Sequence, residues 1–148
     1  MKLSTRGKYG IKAMYELAMA YGDRTPVPLR AIAAKQGLSE NYLEQLMALL
    51  RDAGMVSSVR GAKGGYVLTK HPGQISVGDI IRVMEGEITP TDCVGEHAEF
   101  HHCGESAGCV ARGIWEKVKQ NVVDLLDGIS LLDLCEEARG ELRKDDQK

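Results

Sequence analysis

The sequence predicts a mainly α fold with one small β wing, followed by a long helix with an apolar face suited to a second helix. Three observations lead there. Apolar residues recur at helical spacing through the first fifty residues, two strand-like runs flank a Gly-rich tip at 61–65, and Trp115, Val118, Val122 and Leu125 repeat at three, four and three residues. At 148 residues the chain has material for one domain with an extension.

The first helix is expected from Ser4 to about Tyr21, with Ile11, Met14, Tyr15, Leu17, Ala18 and Tyr21 on its buried face and Lys2, Arg6, Lys8 and Lys12 near its start. The run Gly22-Asp23-Arg24-Thr25-Pro26 is rich in turn formers. A second helix follows from Leu29 to Gln36, stopped by Gly37. Ser39 then caps a third from about Glu40 to Ala53, buried along Leu43, Leu46, Met47 and Leu50. A helix, a Gly-containing turn and a helix make a helix-turn-helix. Met55–Arg60 and Tyr66–Thr69 read as strands around the tip Gly61–Gly65, which makes the motif winged.

Net charge is −2, but it is unevenly placed. Residues 1–70 hold eleven Lys and Arg against five Asp and Glu, a net of +6; residues 71–148 hold eight against sixteen, a net of −8. The basic half therefore predicts a polyanionic partner, because Lys and Arg that displace condensed counterions drive nucleic-acid binding, and with the helix-turn-helix the expected partner is double-stranded DNA. The N-terminal stretch is charged like a leader but lacks the apolar core that should follow, and no run has the length of a membrane span. A cytoplasmic protein without a membrane partner is the expectation.

On the third helix, Ser39, Asn41, Tyr42, Glu44 and Gln45 lie at or near the N-terminus and off the buried stripe. Asn and Gln can pair with adenine, Ser with a phosphate or base, and Glu with the amino group of cytosine. Glu44 is the most telling, since a carboxylate near phosphates is unfavourable unless a base donor meets it. In the wing, Arg60, Gly61, Lys63, Gly64 and Gly65 combine charge with close backbone approach and suit a narrow minor groove. The competing reading is an ordinary hairpin with solvated charges.

Cys93, Cys103 and Cys109 lie in a Gly-, His- and acid-rich loop, with nine residues between the first two and five between the last two. In a reducing compartment such thiols favour metal binding over structural disulfides, and thiolates suit iron-sulfur clusters, zinc or Cu(I). Cys135 stands apart in Leu131-Leu132-Asp133-Leu134-Cys135 and is expected to be a small buried hydrophobe. No ordered triad is evident, so no enzyme is predicted; a thiol enzyme using Cys103 with His101 or His102 is the remote alternative.

The run Leu38-Ser39-Glu40-Asn41-Tyr42-Leu43-Glu44-Gln45-Leu46, then Gly54-Met55-Val56-Ser57-Ser58-Val59-Arg60-Gly61 and Gly64-Gly65-Tyr66, closely resembles the winged-helix regulators that include IscR, NsrR and CymR. Leu3–Gly10 and Ile75–Ile81 fit the same pattern, and the likeness is strongest to the iron-sulfur-cluster regulators. The resemblance implies a DNA-binding transcription regulator, a repressor of cluster-biogenesis genes, with Cys93, Cys103 and Cys109 holding one two-iron two-sulfur (2Fe-2S) cluster per subunit. It also implies a homodimer formed by crossing the long helices, and two recognition helices on one duplex face should read sites about one helical turn apart.

Two departures from that pattern stand out. The first cysteine gap is nine residues where the cluster-binding members have five, and the position three after the last cysteine, a His ligand in those members, is Arg112, which cannot ligate a metal. The wider gap holds His97, Glu99, His101 and His102, so the expected fourth ligand is His102, with His101 or Glu105 as alternatives. A four-iron cluster, zinc, a nitric-oxide sensor, or a cluster-free regulator of sulfur metabolism that senses thiols or a partner remain as other readings. The expected organisation is a DNA-binding domain over 1–86, a cysteine loop over 87–109, a dimerisation helix and short packing helix over 110–141, and a flexible tail over 142–148.

Overall fold

The computed structural model describes residues 3–96 and 109–146. Helix α1 spans Thr5–Met19, and a 3-10 turn at Tyr21–Asp23 leads to α2 (Leu29–Gln36) and α3 (Glu40–Asp52). Strands β1 (Val56–Val59) and β2 (Gly65–Leu68) form an antiparallel hairpin with Val56 opposite Leu68 and Val59 opposite Gly65. Beyond it lie α4 (Val77–Glu85), a 3-10 turn at Asp92–Val94, α5 (Val110–Asp127) and α6 (Leu131–Asp146). The winged helix-turn-helix expected from the sequence is present.

Helix α1 is the central packing element, touching α2, α3, α4, α6 and β2. Its buried face is Gly7, Gly10, Ala13, Met14, Leu17 and Ala18. Ile11, Tyr15 and Tyr21, expected within the stripe, pack at its edge instead. The face is rotated because the two glycines lie against α4: a Cβ at Gly10 would come 2.7 Å from Met84 Cγ, and one at Gly7 2.7 Å from Glu85 Oε1. The Ser4 amide and hydroxyl both donate to the Glu85 carboxylate, which fixes the start of α1 on the end of α4.

Gly37 ends α2 with φ of +66°, as a left-handed cap requires. Ser39 Oγ accepts from the Tyr42 amide at 3.1 Å, satisfying one of the donors the helix itself leaves open. Leu43, Leu46, Met47 and Leu50 are buried as their spacing predicts, and burying each large apolar side chain stabilises by roughly 1.5–3 kcal/mol.

Helix α4 begins with a reciprocal cap, Ser76 Oγ taking the Asp79 amide and Asp79 Oδ2 the Ser76 amide, each at 3.0 Å. Ser130 and Asp133 repeat the device at the start of α6. Leu131 and Cys135 carry α6 into the main core beside α1, where Cys135 is the small buried hydrophobe expected. The helix runs to Asp146. Glu141-Leu142-Arg143-Lys144 is made of strong helix formers, and the single Gly140 does not break the run.

Helix α5 lies outermost, with no buried residue in the single chain. Val122, Val123 and Leu126 pack on a second small cluster of Val77, Ile81 and Ile88. Val110, Ile114, Trp115, Val118 and Leu125 remain exposed. The spacing in the sequence puts Val122 on the outward seam, and the structure turns it inward. One helical face here serves α4 while the next faces solvent, and residue 122 falls on the first.

Candidate nucleic-acid interface and cysteine site

At the start of α3, Ser39, Asn41, Glu44 and Gln45 are exposed and Tyr42 is half-buried. This leaves the polar groups free to meet base edges while the Leu43, Leu46, Met47 stripe anchors the helix. Tyr42 also touches α1: its ring lies edge-on to that of Tyr9, centroids 6.1 Å apart, and Lys12 Nζ sits 5.3 Å from the Tyr9 ring centre. From sequence, Lys12 counts only as general basic charge, and Tyr9 is not singled out. The Lys12 and Tyr9 spacing of one helical turn is legible there, but their meeting with Tyr42 is not.

In the wing, Arg60, Gly61 and Lys63 are exposed, and Gly64 and Gly65 are half-buried. A Cβ at Gly64 would sit 2.2 Å from the Val59 carbonyl oxygen, and one at Gly65 2.3 Å from that of Val27. The two glycines are thus required by backbone crowding inside the wing, apart from any ligand. Val27 and Tyr66 exchange backbone hydrogen bonds of 3.0 and 2.9 Å, which ties the hairpin to the entrance of α2. Among the described residues neither Arg60 nor Lys63 is in an ion pair, so both charges are available to phosphate.

The sensor candidates fall in two groups. Cys93 is half-buried in the Asp92–Val94 turn, its Sγ 3.1 Å from Thr91 Oγ1, and Cys109 is half-buried at the N-cap of α5. Cys103, His97, Glu99, His101, His102 and Glu105 lie outside the described residues. Among the described residues no three metal-binding side chains gather. The donor chemistry of the two placed cysteines nonetheless suits a soft metal, since both are free thiols at opposite ends of the loop. Arg112 is engaged along α5, with Nε 3.4 Å from Glu116 Oε1.

A clamp without any counterpart in the sequence patterns holds the first end of the loop. Lys119 Nζ on α5 donates to Glu87 Oε1 at 2.7 Å and to the Val94 carbonyl at 2.8 Å, while both Glu87 oxygens accept from the Glu96 amide at 2.8 and 2.9 Å. The turn bearing Cys93 is therefore fastened to the helix that Cys109 caps. A second link is the two-pronged pair of Arg82 on α4 with Asp127 on α5. Neither carries a short-range sequence signal, for the partners are 32 and 45 residues apart.

A helix-turn-helix with a glycine-tight wing and a polar recognition helix defines a winged-helix DNA-binding protein. The chain belongs to the Rrf2 family, described as iron-dependent transcriptional regulators, whose model matches residues 3–137. It is similar to the transcriptional regulator CymR of Bacillus subtilis, 43% identical and covering 95% of this chain and 94% of that one. The solved structure of that protein, described as the global cysteine regulator of B. subtilis, matches with a TM-score of 0.76 over 93% of this chain and 98% of its own. IscR of Aliivibrio salmonicida is 39% identical over 90% of this chain and 77% of its own. The structure of T. potens IscR is 46% identical, with a TM-score of 0.76 over 93% of this chain and 88% of its own. These relatives are regulators of transcription rather than enzymes. Among the described residues no helix is long and apolar enough to cross a membrane.

Proposed function

We propose that this regulator binds operator DNA as a cytoplasmic homodimer and reads iron-sulfur status through its cysteine loop, repressing genes of cluster biogenesis. The observation that carries this is the placement of Cys93 and Cys109, one in a turn clamped to α5 by Lys119 and the other at the N-cap of that helix. Cys93, Cys103 and Cys109 would hold one 2Fe-2S cluster per subunit, with His102 completing the set and His101 or Glu105 as alternatives. When bound, such a cluster supplies a crosslink among thiolates that is lost with iron or on oxidation.

The chain's own residues then connect loop and DNA. The loop ends on α5, α5 is joined to α4 by Arg82 and Asp127, and α4 packs on α1 and α3. Ordering the loop shifts the relative placement of two recognition helices only if the two states differ in affinity for DNA. Ser39, Asn41, Tyr42, Glu44 and Gln45 are assigned to the major groove, and Arg60, Gly61, Lys63, Gly64 and Gly65 to the wing contact. The apolar residues exposed on α5 are assigned to the second copy.

A second reading, a cluster-free regulator of cysteine metabolism, is favoured by the likeness to the B. subtilis cysteine regulator over nearly its whole length. The two separate on protein purified without oxygen, by absorption with iron and sulfide analysis of wild type and Cys93→Ala. The cluster reading expects charge-transfer bands and acid-labile sulfide that the substitution removes. Colourless wild-type protein without iron or sulfide would favour the second reading.

A further inference from the structure

The stack of Lys12, Tyr9 and Tyr42 joins α1 to the N-terminal turn of the recognition helix. Tyr42 is the third residue of α3, and its amide is already fixed by Ser39. Tyr9 meets it edge-on at 86°, the favoured arrangement for two quadrupolar rings. Lys12 lies over Tyr9 within the range of a cation–π contact. Its side chain is exposed and, among the described residues, is in no ion pair. The exposed Arg6 and Lys8 precede it, and the first turn of α1 contains no acidic residue. A cation is thus held one ring away from Tyr42, on the helix turn that also carries the exposed Asn41, Glu44 and Gln45, and its own helix is anchored by the Ser4 contact with Glu85 and by Gly7 and Gly10 against α4.

We propose that Lys12 takes a backbone phosphate beside the bases read by α3, and that Tyr9 is the positioning residue that holds Lys12 and Tyr42 in one rigid unit, so that α1 sets the register of the recognition helix. The inference rests on the assignment of α3 as the DNA-reading helix. A phosphate contact carries no sequence information, so removing it weakens binding to every duplex alike and lowers the salt dependence. A packing role for Tyr9 alone would leave both unchanged when Lys12 is altered.

Fluorescence anisotropy with a labelled random-sequence duplex, and with a duplex selected by the wild-type protein, tests this across a KCl series. Lys12→Gln should weaken both by the same factor and reduce the log-log salt slope by about 0.9 for each phosphate that is no longer neutralised. Tyr9→Phe, which keeps the ring, should bind like wild type. Tyr9→Leu should reproduce much of the weakening caused by Lys12→Gln, and adding Lys12→Gln to it should cost less than in wild type. A Lys12→Gln protein with the wild-type slope, or with an equal effect in both Tyr9 backgrounds, would overturn the proposal. Lys12 is exposed, so the first arm stands even where Tyr9→Leu melts early. Folded wild-type protein that bound no duplex would overturn the underlying assignment of α3 instead.

Discussion

Arg82 and Asp127 join α4 to α5 through two parallel hydrogen bonds, Nη1 to Oδ1 at 2.8 Å and Nη2 to Oδ2 at 2.9 Å. Gly78 permits the approach, since a Cβ there would lie 2.0 Å from Asp127 Oδ1. The pair connects the winged helix-turn-helix part of the chain to the helix that carries the exposed apolar seam. The fork of an Arg matches a carboxylate in plane, so the pair fixes an angle as well as a distance.

The hydrogen bond from Arg82, with its positive charge, holds the Asp127 carboxyl below its ordinary range, against a smaller opposing effect of burial. A depressed carboxyl contributes stability that is complete above its unfolded value and is lost as pH falls through its folded value. Both side chains are more than a third exposed, and solvent screening limits such a pair to about 0.2–1 kcal/mol. Asp127→Asn should therefore lower stability to urea at neutral pH, with the gap to wild type closing in acid. A gap independent of pH would show that the ion pair is not its source.

Much of the architecture is legible in the sequence because its signals are local. Gly37, Ser39 and the Leu43, Leu46, Met47, Leu50 stripe fix α2 and α3 within a few residues of one another, and Ser130 with Asp133 marks the start of α6. The rotation of α1 is not legible, because Gly7 and Gly10 carry no hydropathy signal and matter only once α4 lies against them. The inward turn of Val122 likewise depends on where α4 sits. At the candidate site, the polar face of α3 follows from periodicity, whereas the Lys119 clamp and the Tyr9 contact with Tyr42 join residues too far apart in sequence for any local pattern.

Glu44→Ala and Arg60→Ala separate base reading from wing contact. Both residues are exposed, so neither substitution should move the melting temperature appreciably. Glu44→Ala should broaden site preference at the positions where the wild type requires cytosine, and Arg60→Ala should weaken binding most where the flanks are A·T-rich. Selection of duplexes from a random pool by each protein checks this; an unchanged preference for Glu44→Ala removes its assigned role.

The exposed apolar residues of α5 give a contrast within one helix. Leu125 is 63% and Ile114 55% exposed, so Leu125→Glu with Ile114→Glu should yield a folded monomer by sedimentation. Val122→Glu should instead lower the melting temperature, because Val122 packs on Val77, Ile81 and Ile88. A doubly substituted protein that stayed dimeric would assign the dimer contact elsewhere.

Burial pushes the Cys135 thiol up, with nearby Arg139 opposing in part. Cys135 should resist alkylation until the chain unfolds, while the half-buried Cys93 reacts in the native state. Lys119→Met should raise the Cys93 rate in metal-free protein by freeing its turn. Mass spectrometry after timed iodoacetamide treatment reads both rates, and an unchanged Cys93 rate would deny the clamp its positioning role.

The coupling of loop to DNA is tested most directly by measuring, without oxygen, the affinity of cluster-loaded and metal-free protein for duplexes selected by each form. The account predicts that at least one class of sites separates the two forms, and that Cys93→Ala behaves like the metal-free protein on it. Equal affinities of the two forms for every selected duplex would contradict sensing through DNA binding.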